Sequence, residues 1–139
     1  MPATPQLHED RLFPADPATR AIARELYASV KDLPIFSPHG HTDPRWFSGN
    51  EPFDSPADLF LAPDHYLYRM LYSQGISLAS LGVPSKSGKP DIDSREAWRL
   101  FARNFHLFRG TPSAMWMNHV LGEVFGIEER LAGDTADAI

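Results

Sequence analysis

The stretch Pro34-Ile35-Phe36-Ser37-Pro38-His39-Gly40-His41-Thr42-Asp43-Pro44 decides how this chain is read. Ile35 and Phe36 predict a short buried strand, while Pro38 and Gly40 forbid a long regular ladder around it. No other segment of the chain reads convincingly as a strand. In extended backbone, residues two apart point to one face, about 6.6–6.8 Å apart at Cα, so the imidazoles of His39 and His41 can converge on one metal ion. Gly40 between them lets the backbone approach closely. The competing reading is a pair of loop histidines hydrogen-bonded to carbonyls or water. Context favours the metal: the pair sits at the carboxyl end of a strand, where open sites of α/β enzymes gather.

Outward from that stretch the pattern is helical. Asp16 caps a helix with Pro17 in its first turn, and Ile22, Leu26, Val30 and Leu33 lie on one face until Pro34 stops it. Residues 1–15 read as a proline-rich surface arm. The segment from Trp46 to Asp54 reads as irregular, and a short helix runs from Ser55-Pro56 to Leu61. Asp64 caps a helix from His65 to about Ser73, closed by Gly75, with Tyr66, Met70 and Leu71 among its apolar positions. Val83 to Asp91 is a loop. Asp93-Ser94 then opens an amphipathic helix whose buried stripe is Ala97, Trp98, Phe101 and Phe105. Thr111-Pro112 repeats the cap-plus-proline start, with Trp116, Val120 and Val124 continuing to Gly126. A last short helix is expected over Glu128 to Leu131.

Composition sets the class. The 139 residues include 42% hydrophobic and 22% charged side chains, with 3 Trp, 9 Phe and 4 Tyr, too many apolar rings for a solvated coil. The net charge of −5 argues against a nucleic-acid partner, which calls for a basic face. Apolar runs fall short of the roughly 18 residues of a membrane span, and the first residues lack the features of a secretory signal. The absence of cysteine removes disulfides, thiolate metal sites and a thiol nucleophile, and the cytoplasm is the expected compartment. Asp134-Thr135 resembles a helix start with four residues after it. With the lone strand, this suggests the amino-terminal piece of something larger.

Asp43 is read mainly as an Asp-Pro turn, with a role beside the metal as the alternative. Asp64-His65-Tyr66-Leu67-Tyr68-Arg69 gathers a carboxylate, an imidazole, two phenols and a guanidinium, with His65 and Arg69 sharing a helix face. It reads either as a capped amphipathic helix with Tyr66 in the core, or as a site whose Tyr66 and Arg69 hold an anionic ligand. His106 and His119 read as structural, His8 as exposed, and Met115, Trp116 and Met117 as core filler.

The succession Pro34-Ile35-Phe36, His39-Gly40-His41, Asp64-His65-Tyr66 with Arg69, Asp93-Ser94-Arg95-Glu96-Ala97-Trp98, Gly110-Thr111-Pro112 with Trp116, and Phe125-Gly126-Ile127 resembles the amino-terminal part of the uronate (glucuronate) isomerases. The resemblance runs from about Asp10 onward. It departs from the family pattern at Pro38 and Gly40, where bulkier residues are common, and at Asn118, where a histidine is often found. The family belongs to the amidohydrolase superfamily of (β/α)8 TIM barrels and is much longer than this chain. The resemblance therefore implies a mainly α chain: helix and first barrel strand over residues 16–45, and a helical insertion over 46–139. It implies a metal-dependent aldose–ketose isomerase of D-glucuronate and D-galacturonate, giving D-fructuronate and D-tagaturonate. His39 and His41 match metal ligands, with zinc the usual ion. Tyr66 matches a tyrosine of the substrate site and is the expected catalytic and substrate-binding residue, with Arg69 a second substrate-binding candidate. The family's later ligand and basic substrate residues fall beyond Ile139, so this chain alone is expected to be inactive. Alternatives are a metal-dependent hydrolase of the same superfamily and a non-enzymatic helical binding module. Homo-oligomerisation is an open option, and neither membrane nor nucleic acid is an expected partner.

Overall fold

A computed structural model describes residues 7–139, which form two compact units, residues 7–40 and His41–Ile139. The first unit is built on helix α1, Pro17–Val30. Its start follows from the sequence: the Asp16 carboxylate accepts the Thr19 N–H and hydroxyl, each at 2.8 Å, and Pro17 occupies the first turn, where its missing N–H costs nothing. Residues 7–15 are fastened to α1. Arg24 reaches Asp10 at 2.7 Å and Glu9 at 2.8 Å, and Phe13 sets its ring edge-on to Tyr27 at 5.8 Å. Residues 1–6 of the expected arm lie outside the described residues.

Two expectations for this unit need correction. The stripe of Ile22, Leu26, Val30 and Leu33 remains exposed instead of forming a core. Ile35 and Phe36 form no strand, and they are 92% and 89% exposed. A strand is held by ladder bonds to a neighbour. Among the described residues the β pairing is limited to an isolated bridge between Ser85 and Gly88. Without a ladder the β-branched and aromatic character of Ile35-Phe36 has nothing to act on.

In the second unit the regular elements are helices and helical turns joined by loops. Helix α2, Pro44–Gly49, lies where irregular chain was expected. It carries the same signature as α1: Asp43 accepts the Arg45 N–H at 2.9 Å and Pro44 stands in the first turn. Asn50 closes it in the left-handed region at φ 49°. A π-helical turn, Ala57–Leu61, leads to α3, His65–Ser73. A 3₁₀ turn, Ala79–Leu81, precedes α4, Ser94–Arg103. Another 3₁₀ turn, Phe105–Phe108, precedes α5, Pro112–His119, which runs into a π-helical turn, Val120–Val124.

α4 is the centre of this unit, packed on the Ala57–Leu61 and Ala79–Leu81 turns. Its Ala97, Trp98 and Phe101 are buried as the 3.6-residue period requires, and Phe105, expected on the same stripe, is buried in the 3₁₀ turn that follows. Phe101 meets the rings of Trp98, Phe105 and Phe108 at 5.4–5.6 Å, in a core that also holds Leu61, Leu67, Leu71, Leu81 and Met117. Trp98 spends its one polar atom on the tail, donating Nε1–H to the Ala136 carbonyl at 3.1 Å. The expected helix over Glu128 to Leu131 is absent. There Leu131 is buried on irregular backbone, and the Thr135 hydroxyl oxygen accepts the Ala132 N–H at 3.0 Å, a local bond that competes with a helical turn.

Candidate functional site

The rings gathered at the site belong to the second unit. The boundary between units falls between Gly40 and His41, so His39 is described with the first unit, where it is exposed. His41 opens the second unit. It meets the first two residues of α3: the His41 and His65 ring centroids are 4.4 Å apart, His41 stacks on Tyr66 at 5.4 Å, and His65 lies 4.4 Å from Tyr66. Three rings carrying four nitrogens and a phenol are thus gathered in one place.

α3 accounts for this placement. Its N-cap Asp64 accepts the Tyr66 N–H at 2.8 Å. The Asp64 carbonyl accepts from Leu67 at 3.1 Å and Tyr68 at 3.2 Å. Leu67 and Leu71, four apart, are fully buried and lock the helix to the core. That rotation turns Tyr66 outward, 63% exposed, instead of into the core. Arg69 is also exposed, four residues after His65 on the same face, and makes no ion pair among the described residues.

Beside the rings lies a mostly apolar cavity of about 150 Å³, lined by His41, Thr42, Trp46, Leu59, Phe60, Pro63, Asp64 and Trp116. Asp64 therefore serves the helix start and the cavity wall together. Trp116 is not core filler: it is 43% exposed, sets its ring edge-on to Phe60 at 5.8 Å, and faces the cavity. Sequence reading missed this because Met117 and Leu121 fill the buried row of α5 and the following turn, which leaves Trp116 and Val124 outside it. Trp46 was missed with α2, although Asp43-Pro44 carried that helix's start signal.

The remaining candidates resolve locally. Asp43 holds Arg45, Nη2 to Oδ2 at 2.6 Å, and the Arg45 hydrogen bonds lower its pKa to about 2. Its carboxylate is thus committed to capping α2. His8 Nδ1 accepts the Asp10 N–H at 3.0 Å, and His106 Nδ1 lies 3.1 Å from the Arg103 carbonyl. Among the described residues no group of three or more His, Asp or Glu side chains comes together as a metal site.

A family model described as glucuronate isomerase matches residues 15–139. The chain belongs to the glucuronate isomerase family. It is 70% identical over 132 residues to a uronate isomerase of Phenylobacterium zucineum, covering 95% of this chain and 28% of that protein. Its structure is similar to a crystal structure of glucuronate isomerase from Caulobacter crescentus, with TM-score 0.88 and 67% identity over 95% of this chain and 28% of that one. A uronate isomerase structure from Thermotoga maritima is similar at TM-score 0.74 and 29% identity. The chain thus spans little more than a quarter of the length of these family members.

Proposed function

We propose that this chain supplies the amino-terminal part of an intramolecular oxidoreductase of the amidohydrolase superfamily. The activity is the aldose–ketose isomerisation of D-glucuronate to D-fructuronate and of D-galacturonate to D-tagaturonate. Family membership supports the reading, and one observation carries it: His41, His65 and Tyr66 converge beside a cavity at the start of α3. In the intact protein, Ile35-Phe36 forms the first strand of a (β/α)8 barrel, receiving from other chain the ladder that residues 7–139 do not provide. The compartment is the cytoplasm; among the described residues no helix is long and apolar enough to cross a membrane.

The donor chemistry suits a divalent metal, zinc foremost. Imidazole is a preferred zinc ligand, and His39 and His41, two residues apart, supply a pair of them. When bound, such an ion is a Lewis acid that offsets negative charge developing on substrate oxygens. The chain's own groups bind and orient the substrate. Isomerisation removes a proton from C2 and returns one to C1 through an enediolate, and the Tyr66 phenol donates a hydrogen bond to an oxygen that gains charge on the way. Arg69 offers the planar pair of donors that a uronate carboxylate accepts bidentately. Trp46, Phe60 and Trp116 give the cavity beside the rings an apolar wall.

The test is isomerisation of D-glucuronate by the intact protein, with and without a chelator. His39→Ala and His41→Ala should each lower turnover by orders of magnitude, as should the chelator. Wild-type rates in either variant would remove that histidine from the metal, and turnover of an amide or ester with no uronate isomerisation would favour the hydrolase.

A further inference from the structure

We propose that Asp64 is a positioning residue, whose carboxylate cap sets where Tyr66 and His65 stand against His41; this rests on the isomerase reading of the same site. The argument starts from a weakness of helices. The first N–H groups of a helix have no intrahelical acceptor, so its first residues are held less firmly than the rest. In α3 those residues are His65 and Tyr66, the two that meet His41. Asp64 holds this first turn through both its side chain and its main chain: Oδ1 accepts the Tyr66 N–H at 2.8 Å, and the carbonyl accepts from Leu67 and Tyr68.

The same residue is tied down from behind. Its own N–H donates to the Leu61 carbonyl at 3.3 Å, Pro63 fixes the backbone before it, and Leu61 is fully buried. Asp64 thus connects the core to the ring cluster across one turn of chain. One turn further on, Leu67 and Leu71 anchor α3 independently of the cap. Removing the carboxylate should therefore loosen the first turn, with its two rings, and leave the body of the helix in place. A displacement of about 1 Å at a reacting group costs on the order of 10²-fold in rate, far more than fraying costs a fold.

Two substitutions separate the cap from the charge. Asn caps a helix about as well as Asp, whereas Ala does not cap. In the intact protein, Asp64→Ala should lower kcat for glucuronate roughly 10- to 10²-fold with a smaller change in KM, at a temperature where circular dichroism shows it as folded as wild type. Asp64→Asn should restore kcat to within about threefold of wild type. A second readout does not depend on activity. His41 stacks on Tyr66, so with ¹³C-labelled histidine its Cε1 proton should show a ring-current shift that Tyr66→Leu removes. Asp64→Ala should remove that shift too, and Asp64→Asn should keep it. Wild-type kcat and an unmoved shift in Asp64→Ala would overturn the proposal. So would an Asn variant as damaged as the Ala variant, since the charge and not the cap would then matter. An intact wild-type protein that shows the shift but does not isomerise uronates would sink the functional reading alone, leaving the cap's effect on the rings established.

Discussion

Tyr66 shows how a residue's neighbours in a helix decide what it can do. Its phenol is outward because Leu67 and Leu71 take the buried face of α3, and its ring is stacked on His41. Removing the hydroxyl alone should preserve the packing, since Phe keeps the ring. Tyr66→Phe in the intact protein should leave the melting temperature unchanged and lower glucuronate turnover roughly 10²-fold, the usual cost of one donor to developing charge. The loss should be smaller than in His41→Ala. A Phe variant with full turnover would show that the phenol donates nothing to the reaction. The candidates themselves were legible as residue types, but their meeting was not. His41 and His65 are separated by α2 and a π-helical turn, and no spacing rule connects them. Only the resemblance drew both strings into one site.

Among the elements, what could be read was what short-range chemistry controls. Asp16, Asp64, Asp93 and Thr111 all cap the helices expected of them, because a side-chain oxygen and a nearby N–H settle that locally. Ile35-Phe36 failed as a strand because a strand depends on a partner, which propensity does not supply. The link between π-turn Ala57–Leu61, the loop at Lys89 and α4 was equally hidden. It runs through Asp58, which accepts from Ser55 at 2.7 Å, Lys89 at 2.9 Å and Ser94 at 3.1 Å. Partial burial works against the charged carboxylate, yet the bonds from Lys89, Ser55 and Ser94 outweigh it and hold its pKa below the ordinary value. A lowered folded pKa means that the ionised form stabilises the fold. That contribution is complete above the unfolded value of about 3.9 and is lost as pH falls through the lowered folded one. Asp58→Ala should therefore cost about 1–2 kcal/mol near neutral pH, discounted for the exposed Lys89. Urea midpoints followed by tryptophan fluorescence should show a constant gap from wild type down to about pH 5, closing in stronger acid. A gap that widens in acid would contradict the ion-pair assignment.

At the scale of the whole molecule, the question is how much of a catalytic centre 139 residues can hold. The chain spans 28% of its Phenylobacterium relative, and several of its apolar groups, Leu26, Val30, Ile35 and Phe36 among them, are exposed. On the proposed reading its metal ligands are His39 and His41, while a catalytic zinc site takes about three protein ligands and one open position. Each missing ligand leaves a water in its place, and two imidazoles on a short stretch of chain must also give up backbone freedom when they close on an ion. The 139-residue chain by itself should accordingly bind zinc weakly and turn over neither glucuronate nor galacturonate, whereas the intact protein should do both. Calorimetric titration of the isolated chain with zinc at neutral pH decides the first point. A shallow, unsaturated isotherm that flattens further in His39→Ala and His41→Ala is expected. A tight one-to-one isotherm would mean that this chain completes a metal site from its own residues, and the division of the site between this chain and the remainder of the protein would have to be abandoned.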